Sequence, residues 1–343
     1  MEALARLTGL RDRDELDLCL VETLSELMAS SRVAVHRIVG DSGDEHWLTS
    51  ASMSAGELTQ LADPSWMDVA DLPPLSADTD WAICARQATE LARPAGDPAM
   101  PATLTIFPLS TEAGTVGVVE VYTEAPPDEA MRAMSRGVLK IFRNVLSLLD
   151  YSESDTLTGL LNRKSFDETF YKASALPLNQ QHPDANAERR LLGPLRYWLG
   201  VIDIDHFKLV NDRHGHLIGD EVLLLLSRVM RQSFRFLDKL YRFGGEEFVV
   251  LMRCRTEDDA QHALERLRQN VATYVFPRVE HVTVSVGYTR LSPGDSPSSA
   301  FDRADAALYY AKHNGRNQVH GWESLNQQGL LAQRETNQDV ELF

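Results

Sequence analysis

The sequence predicts a chain of the α+β or α/β class, with a small amino-terminal module and a larger domain that has one central sheet flanked by helices. Its 343 residues are enough for two domains with separate cores. Apolar periods typical of strands and of helices alternate through the second half, which favours a single sheet covered by helices. In that half, two apolar runs flank Gly244 and Gly245. A Gly-Gly turn between apolar runs predicts a β-hairpin.

The composition excludes several classes of protein. Hydrophobic residues make up 43% of the chain and charged residues 24%, as in globular proteins. The net charge of −16 argues against nucleic acids and anionic membranes as partners. Three cysteines at wide spacing give neither a disulfide framework nor a zinc motif. Because the chain has no apolar run of roughly 20 residues and no secretory leader, we expect a cytoplasmic protein.

Residues 1–126 are predicted to form a small α+β module with a variable middle. Its predicted elements are a helix at 4–30, strands at 32–39 and 46–51, a helix at 80–91, and strands at 103–109 and 114–122. The runs Phe107-Pro-Leu-Ser110 and Gly117-Val-Val-Glu-Val121 resemble GAF domains, although a PAS-like module would show a similar pattern. The resemblance implies a sensor domain that binds an unidentified small molecule or protein.

Residues 127–154 are predicted to form one long helix that links the module to the next domain. Val138, Phe142, Val145 and Leu149 follow one another in steps of four, three and four. This heptad-like stripe favours a linker that pairs with a second copy as a two-stranded coiled coil. The alternative is a single helix packed on its own domain, because the stripe covers only about two heptads.

Residues 155–322 are predicted to form the larger domain, followed by a tail at 323–343 without a clear apolar period. The polar segment 178–195, which contains two prolines, is predicted to be a surface loop or a disordered insertion. The other predicted elements are helices at 164–175, 216–234, 257–274 and 299–313, and strands at 197–204 and 281–288 around the central hairpin.

Two carboxylate pairs in this domain indicate a cation site. Glu246 and Glu247 lie at the tip of the hairpin, where adjacent negative charges repel unless a cation or ligand offsets them. Asp203 and Asp205 end an apolar strand and, two residues apart, face the same way. A solvated acidic turn and a capping aspartate are the structural alternatives. Two such pairs in one domain favour Mg²⁺, which prefers hard oxygen ligands and phosphates.

Four motifs in order resemble the GGDEF diguanylate cyclases over residues 155 to about 320. They are Asp155-x-Leu-Thr-Gly-Leu-x-Asn-Arg163, Asp203-x-Asp-x-Phe-Lys-x-x-Asn-Asp-x-x-Gly-His-x-x-Gly-Asp220, Arg242-x-Gly-Gly-Glu-Glu-Phe248 and Ala311-Lys-x-x-Gly-Arg-Asn317. Glu246 stands where the family name has aspartate, which is a common active variant. The resemblance implies that the domain condenses two GTP molecules into cyclic di-GMP and pyrophosphate, and that it does so as a homodimer.

The resemblance also implies a role for each matching residue. Mg²⁺, with Mn²⁺ as an alternative, would be held by Asp203, the carbonyl of Ile204, and Glu246. Glu246 would also assist deprotonation of the attacking hydroxyl, and Glu247 and Lys208 complete the catalytic set. The substrate-binding residues would be Asn211 and Asp220 at guanine, and Phe207, Lys208, His216, Lys312 and Arg316 elsewhere on GTP.

Arg235 and Asp238, shortly before the hairpin, match the family's Arg-x-x-Asp site for feedback inhibition by cyclic di-GMP. Arg266 on the following predicted helix is a secondary candidate for that site. As sequence alone, Arg and Asp three residues apart on a surface form an ion pair worth under ~1 kcal/mol.

Three other functions remain compatible with the sequence. One is a receptor that binds GTP or cyclic di-GMP without turnover, which the presence of Asp203, Glu246 and Lys208 disfavours. Another is a cyclase that makes a different cyclic nucleotide, for which Asp220 is the discriminating residue because a carboxylate accepts from guanine N1–H and N2. The third is a mainly regulatory protein whose amino-terminal module binds a partner.

Overall fold

The computed structural model describes residues 2–10, 12–41, 43–60, 72–75, 79–95, 103–111, 114–175, 196–235 and 238–331. The chain forms two compact units, Met1–Ser152 and Glu153–Phe343. Among the described residues, no helix is both long and apolar enough to span a membrane. The predicted insertion at 178–195 and the last twelve residues of the predicted tail, 332–343, lie outside the described ranges.

A six-stranded antiparallel sheet with the order β3-β2-β1-β6-β5-β4 organises the first unit. One face of this sheet packs against α2 and α4, and the other face packs against α3. The elements are α1 (Glu2–Gly9), α2 (Arg13–Met28), β1 (Arg32–Asp41), β2 (Asp44–Ser54), β3 (Glu57–Gln60), α3 (Asp80–Gln87), β4 (Leu91–Pro94), β5 (Thr103–Thr111), β6 (Gly114–Thr123) and α4 (Glu129–Glu153).

The predicted elements of the first unit are present, with two corrections. The single helix predicted at 4–30 is two helices, because Asp12 caps α2 by accepting a hydrogen bond from the backbone N–H of Glu15 at 3.3 Å. The helix predicted at 80–91 ends at Gln87, since Ala88 has a left-handed φ of 50°. The following residues then form β4, which was not predicted, and neither was β3.

The apolar stripe of α4 is buried within the first unit. Val138, Phe142, Val145 and Leu149 are at most 7% exposed and pack with α2 and the sheet in one core. The stripe therefore packs within its own domain, as the second of the two predicted alternatives describes. A coiled coil through this stripe would need the helix to leave that core, which corrects the interpretation of the stripe as a seam open to a second copy.

The second unit has a mixed six-stranded sheet with the order β12-β11-β8-β10-β9-β7. The inner strands pair antiparallel, whereas β7 and β12 join the two edges in parallel. The elements are β7 (Leu161–Asn162), α5 (Arg163–Ala175), β8 (Arg196–Ile204), α6 (Phe207–His214), α7 (His216–Ser233), β9 (Lys239–Gly244), β10 (Glu247–Cys254), α8 (Glu257–Thr273), β11 (Val284–Arg290), α9 (Pro297–His313), β12 (Val319–Gly321) and α10 (Trp322–Gln327).

Burial explains why β8 lies in the middle of this sheet. Its residues 198–204 are all buried, so both faces of the strand are covered. Nearby, β11 fits closely on α9 because Gly287 has no side chain: a Cβ there would lie 2.1 Å from the carbonyl oxygen of Ala304. Four elements of this unit were not predicted. The helices α6, directly after β8, and α10, at the start of the predicted tail, are too short to show a helical period, and the edge strands β7 and β12 have only two and three residues.

Candidate functional site

The carboxyl end of β8 carries the first group of predicted site residues. Asp203 is 4% exposed and Ile204 is fully buried. Glu247, the first residue of β10, is the direct cross-strand partner of Asp203. Glu246 lies in the turn between β9 and β10, where Gly244 and Gly245 have positive φ angles of 142° and 50°. The hairpin therefore forms as predicted and brings its two glutamates to the end of β8.

Lys312 of α9 completes this cluster, with its Nζ 2.8 Å from Oδ2 of Asp203. Burial raises the pKa of Asp203 to about 6; the ammonium of Lys312 opposes the rise and the charges of Glu246 and Glu247 add to it. Burial also raises the pKa of Glu246, again opposed by Lys312 and reinforced by Glu247. Three carboxylates beside one ammonium leave excess negative charge, which favours the binding of a cation.

The residues predicted to hold a metal ion fit a divalent cation by their chemistry. Asp203, Glu246 and the carbonyl of Ile204 offer hard oxygen donors, as Mg²⁺ prefers. Among the described residues, no three His, Cys, Asp or Glu side chains converge as a complete metal site. A set of two carboxylates and one carbonyl leaves positions for phosphate oxygens, so this donor set suits a metal that arrives with a nucleotide.

Asp205 has a different role from Asp203, although the two lie on the same side of the strand end. Its buried carboxylate accepts hydrogen bonds from the hydroxyls of Thr283 and Ser285, both at 2.7 Å, and from the backbone N–H of Asn317 at 3.0 Å. Asp205 therefore ties the loop after α9 to the sheet. The Asp-x-Asp spacing drew attention to Asp205 in the sequence, but it was interpreted only as part of a cation site and not as an anchor for this loop.

The tied loop has a strained backbone. Arg316 and Asn317 have positive φ angles of 60° and 46°. Such angles in residues other than glycine persist where neighbouring contacts hold them. Asn317 is held both by Asp205 and by Arg268, whose Nη1 donates to the side-chain oxygen of Asn317 at 2.8 Å. Asn317, a motif residue to which the sequence analysis gave no role, therefore helps to hold Arg316, the exposed residue predicted to bind substrate.

Helices α6 and α7 carry the second group of predicted site residues. Phe207 is buried, whereas Lys208, His216 and Asp220 are exposed. The two helices meet where Gly219 of α7 approaches the side chain of Asn211 of α6. A Cβ at position 219 would lie 1.9 Å from Oδ1 of Asn211. Gly219, which sequence analysis did not single out, therefore makes room for Asn211.

Arg242 connects the first motif to the hairpin turn. Its Nη1 donates to both carboxylate oxygens of Asp155, at 3.1 and 3.2 Å, while its Nε and Nη2 donate to the carbonyl of Gly245 at 3.1 and 2.8 Å. Burial raises the pKa of Asp155, but its hydrogen bonds with Thr158 and Arg242 outweigh burial and lower the pKa overall. The charged pair thus fixes the turn that carries Glu246.

Two of the three residues predicted for product inhibition, Arg235 and Asp238, lie at the turn before β9, and the third, Arg266, lies on α8. The backbone N–H of Arg235 donates to Oδ2 of Asp238 at 3.0 Å. Burial raises the pKa of Asp238, against the backbone N–H groups of Arg235 and Arg253 and the charges of Arg235 and Arg266. The guanidinium of Arg266 donates to the carbonyl of Ser233 at 3.0 and 2.6 Å. The guanidinium groups of Arg235 at the turn and of Arg266 on α8 therefore both act on the carboxylate of Asp238.

Comparison with known proteins identifies relatives of the second unit. Residues 152–318 match the family described as "Diguanylate cyclase, GGDEF domain". The chain is 37% identical over 169 residues to the diguanylate cyclase DgcZ of Escherichia coli K12, covering 48% of this chain and 52% of DgcZ. It is 34% identical over 203 residues to the diguanylate cyclase DgcM of the same organism, covering 59% of this chain and 45% of DgcM.

A solved structure of a similar domain is also found. The GGDEF domain of DgcB from Caulobacter crescentus, solved in complex with c-di-GMP, is 34% identical, and the match covers 50% of this chain and 96% of that one with a TM-score of 0.43. The chain spans about half the length of the curated relatives that it matches. The family match at residues 152–318 contains all of the site residues described above.

Proposed function

We propose that the protein is a diguanylate cyclase, which condenses two GTP molecules into cyclic di-GMP and two pyrophosphates, because residues 152–318 match the GGDEF domain of that family. The observation that carries this proposal is the convergence of Asp203 with Lys312 and with Glu247 on the neighbouring strand. Carboxylates and an ammonium at one strand end suit a phosphate substrate that arrives with a cation.

The proposed metal is Mg²⁺, bound by Asp203, Glu246 and the carbonyl of Ile204 together with the phosphates of GTP. When bound, it would neutralise charge on the phosphates and on the leaving pyrophosphate. Lys312 is held at this cluster by Asp203, and in the proposed complex its ammonium turns to the phosphates. Lys208 and Arg316, both exposed, would add charge there, and Phe207 would lie against the triphosphate.

Guanine would be recognised by Asn211 and Asp220. A carboxylate accepts hydrogen bonds from the N1–H and the N2 amine of guanine, which adenine does not offer. Asp220 is exposed on α7, so its carboxylate is free to accept from a base, and Asn211 lies against the same helix at Gly219. His216, at the start of α7, is proposed as a further contact to the substrate.

In the proposed reaction, the 3′-oxygen of one GTP attacks the α-phosphorus of the other, and the bond to pyrophosphate breaks. The proton of the 3′-hydroxyl passes to a base, for which we propose Glu246, with Glu247 beside it. Burial raises the pKa of Glu246 above its ordinary value, which makes it a better proton acceptor than an exposed glutamate. The same step closes the second phosphodiester from the opposite side.

The proposed active species is a homodimer, since each GGDEF domain would hold one GTP and two must meet head to tail. A two-fold axis between the domains satisfies that requirement. Product inhibition is proposed at Arg235, Asp238 and Arg266: a guanidinium matches a phosphate or a guanine edge, and the Asp238 carboxylate matches the guanine Watson–Crick edge. The charges of Arg235 and Arg266 both act on the Asp238 carboxylate, which supports the assignment.

The first unit is proposed to be a GAF-like sensor domain that controls the cyclase. Its support is the antiparallel sheet with helices on both faces, which contains the predicted strands and the final hairpin in the expected order. The ligand or partner of this unit would set whether the protein is active. Residues 152–318 begin within α4, the last helix of that unit, so α4 joins the proposed sensor to the cyclase in sequence.

The experiment that tests the proposal is incubation of the purified protein with GTP and Mg²⁺, with products separated by chromatography and identified by mass. We expect cyclic di-GMP and pyrophosphate. Glu246→Ala should lower turnover by at least about 100-fold, as for loss of a general base. Asp302→Ala removes an exposed carboxylate of α9 and is the matched control. Binding of GTP without product, after removal of nucleotide carried over from expression, would support the receptor instead.

A further inference from the structure

The first unit contains a cavity of about 330 Å³ between α4, β5 and the start of β6. Its floor is apolar and partly aromatic: Phe107 and Leu109 of β5 and Phe142 and Leu146 of α4 all line it and are at most 4% exposed. The volume lies in the range of pockets for small organic ligands, about 300–1,000 Å³. The α3-facing side of the same sheet is occupied by a separate packed core.

Three basic side chains line the same cavity from α4. Arg136, Lys140 and Arg143 follow one another at helical spacing, so they share one face of the helix. Arg136 is neutralised by Glu90 at 2.9 Å and by Glu129 at 2.5 Å. Lys140 and Arg143 have no carboxylate partner among the residues that the structure describes. Both side chains are exposed on the face of α4 that lines the cavity, so their charges are open to an anionic ligand there.

We propose that this cavity binds a small aromatic anion, such as an aryl carboxylate, sulfonate or phosphate. Its acidic group would accept hydrogen bonds from Lys140 and Arg143, and charge-assisted hydrogen bonds of this kind are stronger than neutral ones. Its ring would pack against Phe107 and Phe142, since aromatic pairs prefer offset or edge contacts. Residues of the first unit alone supply every contact, so the inference is independent of the proposed cyclase activity.

The test uses two fluorescent probes and the full-length chain. 8-Anilinonaphthalene-1-sulfonate carries an aromatic body and one anionic group, and N-phenyl-1-naphthylamine carries the same rings without the sulfonate. We expect the wild type to bind the sulfonate probe saturably at one site. The double variant Lys140→Gln/Arg143→Gln should lower that affinity by about tenfold or more, because glutamine replaces two charge-assisted hydrogen bonds by neutral ones, which are roughly half as strong. Its affinity for the neutral probe should stay within about twofold.

Two further variants make the result decisive. Arg132→Gln removes a basic side chain of the same helix that does not line the cavity, and it should leave both affinities unchanged. Leu139→Trp fills the cavity and should abolish binding of both probes while thermal unfolding shows a folded protein. The proposal is wrong if the double variant weakens both probes equally, if Arg132→Gln has the same effect, or if a folded Leu139→Trp protein still binds.

Discussion

Substitution of Gly219 by alanine should separate the stability of the protein from its affinity for GTP. The new Cβ would lie 1.9 Å from Oδ1 and 3.0 Å from Cγ of Asn211, and 3.3 Å from Cζ of Phe207. The closest of these atoms is the end of a side chain, which can rotate away, whereas the backbones of α6 and α7 need not move. We therefore expect the helices to stay packed and the amide of Asn211 to leave its position.

The expected changes in stability and in catalysis have opposite signs. Alanine in place of glycine inside a helix stabilises by about 1 kcal/mol, so the free energy of unfolding should stay level or rise. Loss of the proposed hydrogen bonds from Asn211 to guanine should weaken transition-state binding by about 1–1.5 kcal/mol. That loss corresponds to about a tenfold decrease in kcat/KM. Gly137→Ala in α4, where a Cβ meets nothing within 4 Å, is the matched control and should leave the kinetics unchanged.

The assay is the initial rate of pyrophosphate release at varied GTP, combined with urea unfolding of each variant. A double-mutant cycle identifies the cause, because Gly219→Ala acts through Asn211 in this explanation. In an Asn211→Ala background, where the clashing atom is gone, Gly219→Ala should change kcat/KM by less than about twofold. If it still lowers kcat/KM about tenfold in that background, the close approach to Asn211 is not the reason, and the explanation fails.

Three further outcomes are expected. Asp205→Ala should lower the free energy of unfolding by about 3 kcal/mol in urea titrations, because it leaves one buried donor, the Ser285 hydroxyl, and two half-buried donors, the Thr283 hydroxyl and the Asn317 N–H, without their acceptor. Asp205→Asn should retain most of the stability; equal losses would contradict the hydrogen-bond account. Arg235→Ala should relieve inhibition in progress curves with added cyclic di-GMP, while Arg228→Ala, on α7 outside that turn, should not; an unchanged inhibition curve would remove the site. Asp203→Asn should stabilise the metal-free, nucleotide-free protein more at pH 7 than at pH 4, measured by urea unfolding in a chelator.

Strong periodic patterns in the sequence predicted most of the elements of the second unit. The hairpin around Gly244 and Gly245, the buried strand β8 and the long helices have apolar periods that burial requires, so they could be found without a structure. The short elements could not. Strands such as β3 and β4 are four residues long, and their formation depends on neighbouring strands rather than on their own pattern.

The stripe of α4 shows why a correct pattern can have two structural outcomes. Val138, Phe142, Val145 and Leu149 give the same apolar period whether they face a second helix or the core of their own unit. The choice depends on surfaces far away in sequence, here α2 and the strands of the sheet. A heptad-like period that covers only two heptads therefore predicts the helix and its buried face. It does not predict which surface that face packs against.

The individual residues of the candidate site could be predicted from the sequence, but the contacts between them could not. Motif spacing identified Asp203, Glu246 and Lys312, but the 2.8 Å pair between Asp203 and Lys312 joins residues more than one hundred positions apart. The supporting residues had no local signal either: Gly219 matters through the space that Asn211 occupies, and Arg268 matters through its bond to Asn317. Such contacts depend on the folded arrangement, which periodicity does not contain.

The pH dependence expected of Asp203→Asn follows from the position of the carboxylate rather than from any lost contact. Burial raises the pKa of Asp203 from 3.8 to about 6, so the folded protein binds this proton more tightly than the unfolded chain does. Stability therefore falls as pH rises from about 4 to about 6, by about 3 kcal/mol for a shift of that size. Asparagine binds no such proton, so the variant's advantage should grow over that interval and stay constant above it. A difference that does not change with pH would show that Asp203 is not held in this destabilised, cation-ready state.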